Sequence, residues 1–235
     1  MLQSLKQIYG HRLAASDGEI GHVKDFYFDS EHWAIRYVIA DTGSWLPGRE
    51  VLISPHAFGD LHHSGKPLSV NLTRKQIENS PSIESHKPVS RQYEEEYYRY
   101  YGWPGYWQGG GLWGASGSPI APLPSNPVAA EKASDPQAKG SDANLRSTQA
   151  VSGYHLQASD GIIGHVSDFM MDDQTWTIRL LVIKTGHRLS GKDVQIAASL
   201  IDKVSYDEST VFTKLTKEAV EQGNEQSPFS IAAAD

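Results

Sequence analysis

Apolar and polar positions along the chain predict short β-strands separated by turns. The run Trp33–Ala40 is β-branched and aromatic at successive positions, which is typical of a strand buried on both faces in the middle of a sheet. Ahead of it, Asp17-Gly18 is a hairpin signal, because this pair readily adopts the positive φ angles of a tight turn. For the first half of the chain this reasoning predicts a hairpin around Ser64-Gly65 and strands near 10–15, 20–28, 33–40, 50–53 and 67–70.

The same pattern returns in the second half, so the chain contains one unit twice. Gly10–Asp29 recurs as Gly153–Asp172, and the register continues without a gap from Trp33–Arg36 to Trp176–Arg179. A unit of about seventy residues is a domain rather than a blade of a solenoid, whose periods are roughly 20–50 residues. The second copy predicts strands near 176–183, 194–196, 204–206 and 210–213.

Each unit is expected to close with a short helix. Thr73 and Gln76 have the spacing of a capping box at the start of a helix over 72–78, and 216–221 is its counterpart. Short strands with frequent turns favour a small barrel, because closure removes the sheet edges that invite aggregation. The predicted fold class is therefore mainly β: two small β-barrels in tandem, each with a short terminal helix.

A region of different composition separates the two units. Residues 93–101 are rich in tyrosine and glutamate and could form two helical turns, and 102–114 are aromatic and glycine-rich. From 115 to about 150 the chain is dominated by residues that bury too little apolar surface to order a segment. The predicted organisation is a first barrel at 1–80, an acidic and aromatic connecting segment at 81–114, a flexible linker at 115–150, a second barrel at 151–223 and a loose tail at 224–235.

Composition narrows the classes of function. The chain of 235 residues carries a formal net charge of -7 and contains no cysteine. The acidic balance argues against broad nucleic-acid binding, which depends on lysine and arginine, and the absence of cysteine suits a reducing compartment. The N-terminus lacks a signal-peptide pattern, and no apolar run reaches ~18 residues. We therefore expect a soluble, cytoplasmic protein without a transmembrane segment.

Motifs shared by both units resemble those of the PRC-barrel domain. The run Ser-Asp-Gly-(Glu/Ile)-Ile-Gly-His-Val-(Lys/Ser)-Asp-Phe starts at Ser16 and at Ser159, and a Trp-x-Ile-Arg strand, Thr-Gly and Leu-(Pro/Ser)-Gly-(Arg/Lys) follow. This β-barrel is named after the photosynthetic reaction centre H subunit and also occurs at the C-terminus of the ribosome maturation factor RimM. The resemblance covers about 8–80 and 151–223. It implies a bacterial binding or assembly module without catalysis.

The resemblance does not extend to the other parts of those two proteins. The first unit starts near Ile8, so we expect neither the membrane-spanning helix of an H subunit nor the N-terminal domain of RimM. Fold alone does not give function, and neither specific role is carried over to this chain.

Charged residues that recur in both units are candidates for chemistry. Asp25 and Asp168 would form a charge site reproduced in both barrels, or would cap a turn or lie on the solvent face of a strand. His22 and His165 are too few for a zinc site, which needs four ligands. Across a barrel–barrel contact these histidines could act as a pH sensor.

Two arginines also recur. Arg36 and Arg179 lie inside the apolar central strands, where an unpaired guanidinium is unfavourable. Each is expected either to point to solvent or to form a structural ion pair with a carboxylate on the neighbouring strand, such as Asp25 or Asp168. For all the recurring charged residues a structural role is the preferred interpretation, because both copies repeat one sequence.

The connecting segment holds the best candidate for a binding element. Tyr and Trp dominate interface hot spots because their rings bury a large area with little loss of entropy. The alternative is that the segment folds back over a barrel face and completes the core. Membrane-surface binding is a third interpretation, which the acidic run 94–96 disfavours. The candidate partner-binding residues are Tyr97, Tyr98, Tyr101, Trp103, Tyr106, Trp107 and Trp113.

The sequence contains no Gly-x-Ser-x-Gly elbow and no His-Glu-x-x-His motif. Its glycine-rich run 109–114 neither follows a predicted strand nor opens a predicted helix, as a phosphate-binding loop or dinucleotide fingerprint would. We therefore expect no enzyme activity, cofactor or metal. The leading hypothesis is a non-catalytic binding or assembly module with a protein partner, organised as an intrachain pseudo-dimer of barrels or as a homodimer. The alternatives are a peripheral scaffold of a membrane-bound electron-transfer complex, a ribosome- or RNA-associated factor, and a small-ligand or pH sensor.

Overall fold

The computed structural model has a mainly β architecture, as predicted. Its strands belong to one large mixed sheet, accompanied by short helices. The predicted hairpin turn at Ser64-Gly65, most of the predicted linker and the predicted tail at 224–235 lie outside the described residues. The structure describes residues 1–59, 61, 66–82, 89–109, 111–114, 118–119, 145–186 and 193–223.

The first half begins with a short strand and one helical turn, and an antiparallel meander follows. Its elements are β1 (Leu2–Ser4), α1 (Leu5–Ile8), β2 (Arg12–Ala15), β3 (Gly18–Asp29), β4 (Ala34–Asp41), β5 (Glu50–Ile53), β6 (Leu68–Ser69) and α2 (Arg74–Glu78). The strands predicted for this half correspond to β2 to β6. The predicted capping box is confirmed at the start of α2, where Thr73 and Gln76 cap each other's backbone N–H groups.

After the helix of the connecting segment, α3 (Arg91–Tyr101), the second half repeats this order with one more strand, Ile201–Ser205, among the described residues. Its elements are β7 (Leu145–Ser147), α4 (Thr148–Val151), β8 (His155–Ala158), β9 (Gly161–Asp172), β10 (Thr177–Thr185), β11 (Asp193–Ala197), β12 (Ile201–Ser205), β13 (Thr210–Thr213) and α5 (Lys217–Gly223). The strands predicted for this half correspond to β10 to β13, and the predicted terminal helix corresponds to α5.

One sheet runs through both halves. β3 pairs antiparallel with β2 and β4, and β9 pairs in the same way with β8 and β10. The outer neighbours β5 and β11 pair antiparallel with β4 and β10. The two halves join where β4 and β10 pair at Ala34 and Thr177. The described residues of the two units therefore form a continuous structure.

The first strand of each half pairs with the other half. β1 lies antiparallel to β9, with Leu2 opposite Asp172, and β7 lies antiparallel to β3, with Leu145 opposite Asp29. Residues 145–150, predicted as part of a flexible linker, are therefore ordered as β7 and the start of α4. The prediction is wrong at this boundary because pairing with a distant strand holds β7, and its own composition does not reveal that partner.

A pair of equivalent tryptophans connects the halves at their junction. The main-chain N–H of Ile35 donates to the Trp176 carbonyl at 2.8 Å, and that of Ile178 donates to the Trp33 carbonyl at 2.7 Å. Trp33 and Trp176 have φ angles of 55° and 54°, in the left-handed region that bulky residues rarely adopt. Hydrogen bonds from the opposite half thus engage the carbonyls of two strained residues.

The two central strands are covered differently. Every residue of β4 from Ala34 to Ala40 is buried, so both faces of this strand are covered. In β10, buried Leu181 and Ile183 alternate with half-buried Val182 and exposed Lys184. The difference arises because the connecting segment packs on the first half. Within the described ranges, no helix has both the length and the apolar character needed to cross a bilayer.

Candidate functional site

The connecting segment folds back onto the first half. Ser90 caps the start of α3, and Gly102 ends the helix with a left-handed φ of 70°. The Tyr97 hydroxyl donates to the carbonyl of Leu52 at 2.9 Å and accepts from the main-chain N–H of Ser54 at 3.0 Å. Tyr97 thus satisfies backbone groups at the outer edge of β5 and fixes α3 against the sheet.

The seven predicted partner-binding residues divide into two groups. Four are buried core residues: Tyr97, Tyr98, Tyr106 and Trp113. Three are partly buried against the same core: Tyr101, Trp103 and Trp107. Partner binding by this set stays a prediction, and burial restricts direct contact with a partner to the second group.

Arg36 lies beneath the connecting segment and is only 2% exposed. Its Nη2 donates to Oδ2 of Asp29 at 3.1 Å, and its Nη1 donates to the carbonyl of Leu112 at 2.6 Å. The guanidinium carbon lies 3.8 Å from the ring centre of Tyr106, a cation–π distance. Of the two predicted alternatives Arg36 adopts the ion pair, but its partner is Asp29 rather than Asp25.

Asp29 is held from several directions. Its Oδ1 accepts the main-chain N–H of Glu31 at 2.9 Å, and its Oδ2 lies 2.9 Å from Nδ1 of His32 as well as accepting from Arg36. Burial alone would raise the pKa of Asp29, but the Arg36 cation and these hydrogen bonds lower it below its ordinary value.

The same cluster has the spacing of a metal site. Ligand atoms of Asp29, Glu31 and His32 lie within 4.8 Å of one another. Both oxygens of Asp29 are already engaged, and a cation would have to displace the Arg36 guanidinium from one of them. The cluster therefore suits a buried ion pair better than a metal ion.

Glu94 is a fully buried carboxylate on the inner side of α3. The hydroxyls of Tyr37 and Tyr106 donate to its Oε1 at 3.0 Å and 2.9 Å. Nη1 of Arg91 lies 3.0 Å from its Oε2, an ion pair by distance, although Nη1 makes no aligned hydrogen bond. Burial raises the pKa of Glu94 above its ordinary value, against the opposing influence of Arg91 and the tyrosine hydroxyls.

A cleft of ≈ 340 Å³ opens between the start of α3 and the turn before β4, and we call it the Arg91 cleft. The Arg91 guanidinium lies 4.5 Å from a ring centre of Trp107 and 5.2 Å from that of Tyr106, and a quarter of the side chain is exposed, at 25%. Glu31 and His32 are exposed at the rim. The lining residues are Asp29, Glu31, His32, Arg36, Arg91, Tyr106, Trp107, Gly109, Gly111 and Leu112.

The equivalent place in the second half has a different composition. Gln174 and Thr175 stand where the first half has Glu31 and His32. Arg179 is 53% exposed, and its Nη2 lies 3.5 Å from Asp172. Arg179 therefore combines the two predicted alternatives, since it is both paired and open to solvent. The Arg91 cleft depends on the connecting segment.

Asp25 and Asp168 cap the short helices of the opposite half. Asp25 accepts the main-chain N–H of Gln149 at 3.1 Å, and Asp168 accepts that of Lys6 at 3.0 Å. Each aspartate also accepts a hydrogen bond from the N-cap serine of the same helix: Ser147 for Asp25 and Ser4 for Asp168. The capping role that was one predicted alternative is present, but it acts on a helix of the other repeat rather than on a local turn.

The recurring histidines lie apart from this site. His22 and His165 are exposed on β3 and β9, where they pair across the sheet with Arg12 and His155. Neither histidine lines the Arg91 cleft. A pH-sensing role for them stays a prediction.

Another histidine, His56, is enclosed by the connecting segment. Its Nδ1 lies 3.0 Å from the carbonyl of Pro119. Its ring centre lies 6.0 Å from that of Tyr98, 5.6 Å from Trp103 and 5.5 Å from Trp113. Burial among these rings lowers the pKa of His56 below its ordinary value.

Sequence reasoning missed the residues that build the cleft. Asp29 recurs as Asp172, seven positions before the repeated arginine, and that spacing is a signal that could have identified the ion-pair partner. Arg91 and Glu94 are three residues apart, which places both on one face of a helix. His32 has no equivalent histidine in the second unit, so the repeat gave no reason to select it.

Comparison with known proteins gives no assignment: no protein-family model matches the chain, and no curated protein matches it. The resemblance to the PRC-barrel domain therefore rests on the motifs of the two repeats.

Proposed function

We propose that this protein is a non-catalytic binding or assembly module, composed of two PRC-type β-barrels joined as an intrachain pseudo-dimer. It engages a protein partner through the Arg91 cleft. The repeated motifs, the equivalent strand order of the two halves and the paired first strands support the pseudo-dimer part of this proposal. The cleft supports the binding part.

The observation that carries the proposal is the placement of Arg91. Its guanidinium is held over the ring of Trp107, is partly exposed and lies in a cleft next to exposed Glu31 and His32. Arginine and tryptophan are the residues most enriched at interface hot spots, and a fixed guanidinium recognises a carboxylate through two parallel hydrogen bonds. The cleft therefore suits a carboxylate on a partner protein, either an acidic side chain or a chain terminus.

The charge pattern of the cleft suits a binding surface. Its buried carboxylate Asp29 is engaged by Arg36, and Glu94 beneath it is engaged by Arg91 and two tyrosine hydroxyls. Such pairs fix a rigid, partly polar surface of the kind that a binding site presents.

Affinity capture with the full chain from native cell extract tests this proposal. Wild type is compared with Trp107→Ala and Arg91→Lys, the second of which keeps a positive charge beside Glu94 but loses the planar stack. Gln174→Ala, at the position equivalent to Glu31, is the matched control. We expect the partner to be lost from both cleft variants and kept by the control, with all melting temperatures close to that of wild type.

Trp113 is unsuitable for this purpose. It is 1% exposed, and its Nε1 donates to the carbonyl of Thr175 at 2.8 Å, so its removal would damage the core and the contact between the halves. A partner that binds both cleft variants as well as it binds wild type would contradict the proposal.

The fraction in which the partner is found separates the remaining hypotheses. Recovery with a membrane-bound electron-transfer complex would favour the peripheral-scaffold hypothesis, and salt-sensitive recovery with ribosomal particles would favour the ribosome-associated one. A captured small carboxylate in place of a protein would favour the ligand-sensor hypothesis.

A further inference from the structure

The two repeats share a scaffold, but among the described residues only the first has α3, the helix on the outer face of its central strands. In the first half α3 lies over β4 and β5, where the Tyr37 hydroxyl donates to Glu94 and the Tyr97 hydroxyl bonds the edge of β5. The rings of Tyr37 and Tyr97 meet edge to face at 5.4 Å. This contact shows which kind of element the outer face accommodates.

Strand register identifies the equivalent positions in the second half. Ile39 pairs with Leu52 across β4 and β5, and Val182 pairs with Gln195 in the same way across β10 and β11. All the first-half residues on this face are buried: Tyr37, Ile39, Leu52 and Ser54. Their counterparts are only half-buried: Leu180, Val182, Gln195 and Ala197.

The greater exposure of the outer face is not a property of the whole second half, because the two faces of β10 and β11 differ in burial. The inward residues of the same strands are all buried: Leu181, Ile183, Val194 and Ile196. Beside the outward face, Leu200 is 46% exposed, whereas its first-half counterpart Ala57 is 1% exposed. The outer face is thus a mostly apolar surface, and no counterpart of α3 covers it within the part of the chain that the structure describes.

The edge of β11 also differs from that of β5. The carbonyl of Leu52 and the N–H of Ser54 point away from the sheet and are bonded by one tyrosine hydroxyl. Gln195 and Ala197 carry the equivalent groups, and among the described residues no hydroxyl bonds that pair. An open strand edge beside an apolar face is a ready site for a partner.

We propose that the outer face of β10 and β11 docks an amphipathic helix of a partner protein, in the place that α3 occupies on the first half. The docking surface consists of Leu180, Val182, Gln195, Ala197 and Leu200, with Arg179 at one side. It is separate from the Arg91 cleft and does not depend on the function proposed for that cleft.

The side chains of this surface define the sequence of the helix. Leu180 stands where Tyr37 donates to Glu94, so the partner carries an apolar residue at that position. A tyrosine three positions later, equivalent to Tyr97, reaches the edge of β11. An aromatic ring beyond the helix covers the exposed guanidinium of Arg179, as Tyr106 covers Arg36 in the first half.

Peptides taken from the chain itself provide the probe. Residues 89–114 are synthesised with the native sequence and with Glu94→Leu, and each is titrated into the full-length protein. We expect saturable binding of the Glu94→Leu peptide, with at least about tenfold weaker binding of the native peptide because its glutamate would be buried against Leu180 without a donor.

Variants of the protein locate the binding. Val182→Glu and Leu200→Glu each place a charge on the docking surface and should lower the affinity for the peptide by about tenfold or more. Ile162→Glu, at a 54% exposed site on β9, is the control and should bind normally. Two surface variants keep the test usable if one of them fails to fold.

Hydrogen exchange gives an independent readout. Bound peptide should protect the main-chain amide of Ala197 from exchange. This measurement uses the wild-type protein, so it does not depend on the folding of a charged variant. Absence of saturable binding by the Glu94→Leu peptide, equal binding by all variants, or an unprotected Ala197 amide would overturn the proposal. Self-association of the wild-type chain that Leu200→Glu abolishes would also overturn it, because the face would then be covered by a second copy.

Discussion

The carboxylate of Asp25 accepts a hydrogen bond of 2.9 Å from the hydroxyl of Thr148, a residue 123 positions further along the chain. Thr148 opens α4, so an aspartate of the first repeat holds the start of a helix in the second. The reverse contact, from Asp168 to α1, lacks this hydroxyl because Leu5 stands at the equivalent position. The two repeats therefore exchange helix caps of unequal strength.

Replacement of Asp25 by alanine should destabilise the protein more than the same change at Asp168. Asp25→Ala removes the shared acceptor of three donors of the second half, the hydroxyls of Ser147 and Thr148 and the main-chain N–H of Gln149, for an expected loss of about 2 kcal/mol. Asp168→Ala should lower the free energy of unfolding by less, because the carboxylate of Asp168 is more exposed and accepts a hydrogen bond from one hydroxyl fewer. Urea denaturation measures both, and equal or reversed losses would contradict the unequal caps.

The ion pair of Arg36 should contribute more to stability than that of Arg179. Arg36→Met leaves Asp29 buried without its cation, for an expected loss of about 3 kcal/mol, whereas Arg179→Met changes a surface pair and should cost less than about 0.5 kcal/mol. Chemical denaturation of the two matched variants gives the comparison. Similar losses at both positions would show that burial beneath the connecting segment does not strengthen the first pair.

Stability below neutral pH should depend on His56. Burial lowers the pKa of His56 below 6.5, so the folded state binds fewer protons than the unfolded state. The stability linked to this group is complete above pH 6.5 and is lost as the pH falls through the lowered pKa, at a slope of up to about 1.4 kcal/mol per pH unit. The Arg36 cation also lowers the pKa of His56, because it repels the protonated imidazole.

The free energy of unfolding of wild type and His56→Gln, measured from about pH 7 to about pH 5, isolates this contribution. The raised pKa of Glu94 has the opposite sign, since its stability contribution falls as the pH rises, but it is common to both proteins and cancels in the difference. His22→Gln, at an exposed site, is the control and should follow wild type. Parallel pH profiles for wild type and His56→Gln would contradict the prediction.

Two equivalent glycines should not tolerate a side chain. A Cβ at Gly21 would lie 1.9 Å from the carbonyl oxygen of Asp41, and one at Gly164 would lie 2.1 Å from that of Lys184. These atoms belong to the paired neighbouring strand, so Gly21→Ala and Gly164→Ala should each lose more than about 3 kcal/mol or fail to fold. Gly186→Ala, with nothing within 4 Å, should stay close to wild type. Circular dichroism and urea denaturation decide, and near-native stability of either variant would be incompatible with this strand contact.

Strands bounded by turn residues and marked by apolar runs could be predicted from the sequence. β5 was predicted to the residue at 50–53, because a Pro-Gly turn signal precedes an apolar run there. β1 and β7 were not predicted, since each has three residues and is held by pairing with the opposite repeat. Their positions follow from long-range contacts that no local pattern records.

The site illustrates the same limit at the level of single side chains. Arg36 was predicted either to point to solvent or to pair with a carboxylate on the neighbouring strand, such as Asp25. Pairing of Phe28 with Ile35 and of Tyr27 with Tyr37 leaves Arg36 as an extra residue in the ladder. This bulge redirects the guanidinium towards Asp29. A bulge arises from the fit of two strands, so alternation along one strand does not predict it.

The exchanged first strands have a consequence for how the two repeats stay together. A polypeptide with a single repeat would have to take its missing strand from a second molecule, and the amount of paired protein would then vary with dilution. Because both repeats belong to one chain, their pairing is intramolecular. Its effective concentration is set by the length of chain between α3 and β7. The two copies can then differ in what packs on them, and among the described residues α3 lies on the first half alone.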